Sequence, residues 1–163
     1  MKQNIKFMKK IFSDKFSSVY FFEEIDQPNH SSEGMTKAAL RDYIGGYPLN
    51  CKEPIQLHWN RSDTSTYCVV AVGIQPVGID IEYMRERPFE RLSKRYFHEW
   101  EHTDDKEIFY DLWTRKEAYT KWKKGKIANY MNQIISKDMI VLLELPDGIK
   151  GHLCRGLTTV SIP

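Results

Sequence analysis

A chain of 163 residues that is 41% hydrophobic, 13% aromatic and 28% charged has the size of one compact domain, or of two small halves sharing a core. It holds enough apolar material to fold, which excludes a long multidomain machine and a disordered polymer. Lysine and arginine number 24 against 22 acids, a net charge of +2, so no global attraction to nucleic acid is implied and any basic surface is local.

In chain order, Lys2, Lys6, Lys9, Lys10 and Lys15 stand against Asp14, and residues 1–15 read as a solvated or frayed end. The same lysines interrupt every apolar stretch before a signal-peptide core forms. A strand is predicted over 19–25, a turn over 28–32, and a helix over 35–44 with Ala38, Ala39 and Tyr43 at helical spacing, closed by Gly45 and Gly46. Three short strands follow at 55–59, 67–74 and 77–82, the first two separated by a polar turn at 60–66 and the last two by a tight turn at Gln75-Pro76. Pro88 opens a helix over 89–97, and a longer helix covers 107–123. The tail reads as a strand at 139–145, a turn at Pro146-Asp147-Gly148, and strands at 150–154 and 158–162.

This order gives an α+β fold rather than the alternation of a parallel sheet. Cys51, Cys68 and Cys154 form no C-x-x-C pair, indicate neither a disulfide framework nor a zinc knuckle, and suit a reducing compartment. No run reaches the roughly 18 apolar residues of a membrane span, so a soluble, cytoplasmic protein is expected, with no membrane partner.

Two segments carry chemistry. In Val77-Gly78-Ile79-Asp80-Ile81-Glu82 the β-branched residues ask for a strand, and its period of two sends Asp80 and Glu82 to one face. Adjacent carboxylates repel, and a hard divalent cation such as Mg²⁺ would relieve that cost; the plainer account is the solvated face of an edge strand. In the second segment, Trp113, Glu117 and Lys121 recur every four residues along one helical stripe. An ordinary Glu117–Lys121 surface pair accounts for two of them, but six bases surround the one acid between Arg115 and Lys126. A helical carboxylate added to two from a strand makes an oxygen site for Mg²⁺, with lysines for phosphate oxygens. Lys121-Trp122-Lys123-Lys124 also allows a nucleic-acid grip, a reading that leaves Asp80 and Glu82 unexplained and is set last.

These residues resemble the 4′-phosphopantetheinyl transferases, in particular the larger pseudodimeric, surfactin-synthetase-activating type. The signatures (V/I)-G-(I/V)-D-(I/V)-E and W-x-x-K-E-(A/S)-x-x-K match residues 77–82 and 113–121 without a gap. The resemblance implies two similar α/β halves, here 1–76 and 77–163, about a pseudo-twofold axis in one compact unit. It implies Mg²⁺, coenzyme A as co-substrate, transfer of the phosphopantetheine arm to a serine of an acyl or peptidyl carrier protein, and release of adenosine 3′,5′-bisphosphate.

Position by position, the resemblance makes Asp80, Glu82 and Glu117 metal ligands and assigns Lys116 and Lys121 to the CoA phosphates, with Lys121 also catalytic at the leaving group. Arg95-Tyr96-Phe97-His98-Glu99-Trp100-Glu101 is similar to the family's R-F-F-x-x-x-E and makes Glu101 the general base. Upstream, Lys52, Asn60 and Ser62 match the family's G-K-P and F-N-x-S-H-S, assigning Lys52 and Ser62 to CoA, while Asp63 replaces a histidine that meets the 3′-phosphate in relatives. Lys37 and Arg41 stand in for the family's basic helix residues. The segment 121–124 would receive acidic carrier proteins, and a monomer is expected. The alternative is a catalytically impaired homologue that binds carrier proteins, because a carboxylate at Asp63 repels phosphate.

Overall fold

The computed structural model describes residues 8–23, 32–46, 56–64 and 66–156. Strands β1 (Met8–Ser13), β2 (Ser17–Glu23), β3 (His58–Thr64) and β4 (Tyr67–Gly73) form one antiparallel sheet in the order β1-β2-β4-β3. Strands β5 (Val77–Tyr83), β6 (Ile140–Leu142) and β7 (Ile149–Arg155) form a second in the order β5-β7-β6. Three helices, α1 (Ser32–Gly45), α2 (Phe89–Tyr96) and α3 (Lys106–Trp122), complete an α+β fold. No helix among the described residues is long and apolar enough to cross a membrane.

Period-two patterning builds the layers. Val19 and Phe21 of β2 and Val69 and Ala71 of β4 meet Val77, Ile79, Ile81 and Leu153 of the second sheet in a core between the sheets. The alternate residues Tyr20, Phe22, Val70 and Val72 face Met35, Ala39 and Tyr43 of α1. Both faces of β2 and β4 are thus covered, which is why they read as unbroken apolar runs. On the outer face of the second sheet lies α3, its N-terminus capped by Asp105, whose carboxylate accepts the Ile108 N–H at 2.9 Å. A third cluster of Phe89, Phe97, Phe109, Tyr110, Leu112 and Met131 seats α2 against α3, and Trp113 stacks on Phe109 and meets Tyr96 edge-on. Buried His152 of β7 ties the same helix down, with Nδ1 2.8 Å from Thr114 Oγ1 and Nε2 3.3 Å from Asp111 Oδ1.

Several boundaries differ from the sequence reading. The lysine-rich start is not a frayed end from Met8 onward. Ile11 and Phe12 pack on the inter-sheet core, β1 pairs with β2, and Asp14 turns the hairpin by accepting the Phe16 and Ser17 N–H groups at 2.8 and 2.7 Å. The polar stretch after Asn60 is strand to Thr64, because its polar side chains are consumed by a neighbouring strand, as described below. The Gln75-Pro76 break does not join paired strands; it carries the chain from one sheet to the other between Gly73 and Val77. Strand β6 keeps only three residues of the predicted 139–145. The predicted strand at 158–162, the turn at 28–32, apart from the Ser32 that opens α1, and Lys52 lie outside the described residues.

Gly78 sets how closely α3 lies on β5. A Cβ there would stand 2.1 Å from the Ala118 carbonyl oxygen and 2.4 Å from the Trp122 nitrogen, both backbone atoms with no room to yield. Gly78→Ala is expected to destabilise the fold by ~2–3 kcal/mol or more, read as a lower urea midpoint at unchanged m-value.

Candidate active site at the seam of the two sheets

Asp80 and Glu82 leave β5 on the face that α3 covers, and α3 brings Glu117 and Lys121 to them. Asp80 is 2% exposed. Its Oδ1 accepts from Lys121 Nζ at 2.8 Å and from Ser62 Oγ at 2.9 Å. Its Oδ2 is buried without an N–H donor among the described residues, and the Glu117 carboxyl adjoins Asp80. Burial pushes Asp80 above the usual carboxylate range, opposed by the Lys121 ammonium. Burial, then the charge of Asp80, raises Glu117 to about 7. Glu82 is raised for the same two reasons, with Arg87, Lys121 and Arg85 opposing.

The three carboxylates singled out in the sequence therefore share one electrostatic neighbourhood. Among the described residues, no three acidic, histidine or cysteine side chains stand as a ready-made metal clasp, and Lys121 is the cation hydrogen-bonded to Asp80. The donor set is nonetheless hard oxygen, and a buried Asp80 oxygen without a donor is what a cation such as Mg²⁺ would satisfy.

Lys121 spends one N–H on Asp80 and a second on the Ile79 carbonyl at 3.0 Å, leaving a third for the cleft it lines. That cleft, of about 240 Å³, runs between the start of β3, the start of β5 and the end of α3, and is lined by His58, Trp59, Asn60, Lys121, Trp122 and Lys124 among others. Trp59 was not singled out by sequence, since no spacing links a strand start to a helix end, and Lys124 was read only as part of the basic stretch 121–124. A local signal existed at Lys124. It sits at φ 53°, its N–H bonds the Lys121 carbonyl at 3.0 Å and the Gly125 N–H bonds that of Thr120 at 3.1 Å, the helix-ending motif that favours glycine.

Lys116, on a different face of α3, is fully buried. Its Nζ stands 2.7 Å from Glu101 Oε2 and donates to the Gln133 carbonyl at 2.5 Å, above the Phe97 ring. The structure thus brings Lys116 to Glu101, on a single 3₁₀ turn at Glu99–Glu101, and neither contacts the Asp80 group. Desolvation lowers Lys116 below the ordinary lysine value, with Glu101 opposing. Ser62 is likewise buried and committed to Asp80. Asp63 is paired with Arg61 at 3.1 Å, so its charge is locally offset. Lys37 pairs with Glu33 on the exposed side of α1, and Arg41 is exposed on the same helix.

Against known proteins, residues 76–141, the segment that carries Asp80, Glu82, Glu117 and Lys121, match the 4′-phosphopantetheinyl transferase superfamily. It is similar to a 4′-phosphopantetheinyl transferase of Bacillus subtilis, 31% identical over 103 residues covering 56% of this chain and 46% of the relative. The 4′-phosphopantetheinyl transferase Sfp of Bacillus subtilis strain 168 is 32% identical over 101 residues, 55% of this chain and 45% of Sfp. The 4′-phosphopantetheinyl transferase gsp of Aneurinibacillus migulanus is 34% identical over 73 residues, 40% of this chain and 30% of that protein. The matched region spans about half the length of the first two relatives.

Two outcomes follow from the geometry. A native carboxyl raised to about 7 holds its proton where the unfolded chain has lost it, so its stabilising effect is complete below the unfolded value near 4.5 and is lost as pH rises to about 7. In chelator, the stability of the wild type relative to Glu117→Gln should fall across that window, as measured by urea unfolding at several pH values. Lys124→Gly, which relieves the left-handed backbone, should stabilise the chain by ~1 kcal/mol, seen as a raised thermal midpoint.

Proposed function

We propose that this chain is a Mg²⁺-dependent 4′-phosphopantetheinyl transferase, moving the phosphopantetheine arm of coenzyme A to a serine of an acyl or peptidyl carrier protein. The observation that carries this reading is the meeting of Asp80, Glu117 and Lys121, from a strand and a distant helix, at the edge of a basic cleft. In this reading, residues 1–76 and 77–163 are two similar halves about a pseudo-twofold axis, with coenzyme A in the cleft between them.

Asp80, Glu82 and Glu117 would hold Mg²⁺, which when bound supplies Lewis-acid stabilisation of pyrophosphate oxygens. Lys121, with a free N–H in the cleft, balances charge on the departing bisphosphate as the phosphorus–oxygen bond to it breaks. Lys52 joins the phosphate contacts. Glu101 takes the proton of the carrier serine as its oxygen bonds to phosphorus, and Lys116 holds Glu101 in place rather than meeting phosphate. The Arg61–Asp63 pair offsets the one charge that argued for an impaired, carrier-binding homologue.

The test is Mg²⁺-dependent transfer of a fluorescent pantetheine analogue from CoA to a panel of apo-carrier proteins. Labelling is expected with wild type and should fall to background in Asp80→Ala and Glu117→Ala. A wild type inert on every carrier, with no heat of CoA binding by calorimetry, would overturn the proposal.

A further inference from the structure

Antiparallel pairing sends alternate N–H groups of a strand to opposite edges. In β5 one edge is taken by β7, and the N–H groups of Ile79, Ile81 and Tyr83 point the other way, where no strand continues the sheet. Three side chains of β3 meet them at the same period of two. Asn60 Oδ1 accepts from Ile79 at 3.0 Å, Ser62 Oγ from Ile81 at 3.2 Å and Thr64 Oγ1 from Tyr83 at 3.0 Å. The two sheets are thus stitched by a side-chain ladder in place of a backbone one.

Only the middle rung also touches the carboxylate group. A serine hydroxyl has one proton, and with Ile81 donating to its oxygen that proton goes to Asp80 Oδ1. Ser62, 6% exposed, has none left for a phosphate oxygen. Together with Lys121 it fixes Oδ1 and leaves Oδ2 as the oxygen open to a cation.

We infer that Ser62 is a positioning residue for the cation site, through which the first sheet aims the Asp80 carboxylate of the second, rather than a contact for coenzyme A. This rests on the metal reading above.

The experiment uses the full chain and Mn²⁺ alone, with free Mn²⁺ followed by electron paramagnetic resonance and stability by urea unfolding. Ser62→Ala should weaken Mn²⁺ binding roughly 10- to 100-fold, the range for loss of a partner that orients a ligand. Thr64→Ala removes the rung beside it and should lower stability while leaving Mn²⁺ affinity unchanged. If Ser62→Ala does not fold, Ser62→Cys, nearly the same shape but a weak donor, should show the same loss. Wild-type affinity in the folded Ser62 variant, or an equal loss in Thr64→Ala, would overturn the inference. A wild type that binds no Mn²⁺ would instead sink the metal reading, and this inference with it.

Discussion

A carboxylate withdrawn from water must be compensated, and the structure turns on how this is done for Asp80. Its Oδ1 is held by a lysine from α3 and a serine from β3, so the two sheets and the long helix all converge on one atom. An isolated buried charge costs far more than any surface pair returns. The compensating groups are therefore constraints on the fold as well as parts of the site. Gly78 is one expression of this, since only a residue without Cβ lets α3 come close enough to β5 for Lys121 to reach both Asp80 and the Ile79 carbonyl.

Helix α3 carries two chemistries at once. Glu117 and Lys121 turn toward the acidic strand, whereas Lys116, one position before Glu117, is buried against Glu101 and Gln133. Successive helix residues are about 100° apart, so neighbours in sequence belong to different environments. One rigid element thus fixes both the proposed cation site and the proposed base, and the dense aromatic contacts of Trp113 with Phe109 and Tyr96 hold it in place.

The seam between the sheets explains why a stretch as polar as Asn60-Arg61-Ser62-Asp63-Thr64 lies within a strand. Alternation puts Asn60, Ser62 and Thr64 on the β5 edge and leaves Arg61 and Asp63 to pair with each other. The polar residues do what a further strand would do, closing an edge that would otherwise expose unpaired N–H groups.

The elements that were legible in the sequence are those with a local cause: the unbroken apolar run of β4, the alternation of β5, the helical spacing of α3, and Asp80 and Glu82 on one strand face. The strand content of residues 8–13 and 60–64 was not, because lysines and polar residues carry no local sign of the partner that makes use of them. Glu117 and Lys121 stood out by spacing, and Lys116 through the family resemblance. Tertiary structure alone separated them, bringing the first two to Asp80 and committing the third to Glu101, because a side chain's charge is written in sequence while its direction and its burial are set by what packs against its helix.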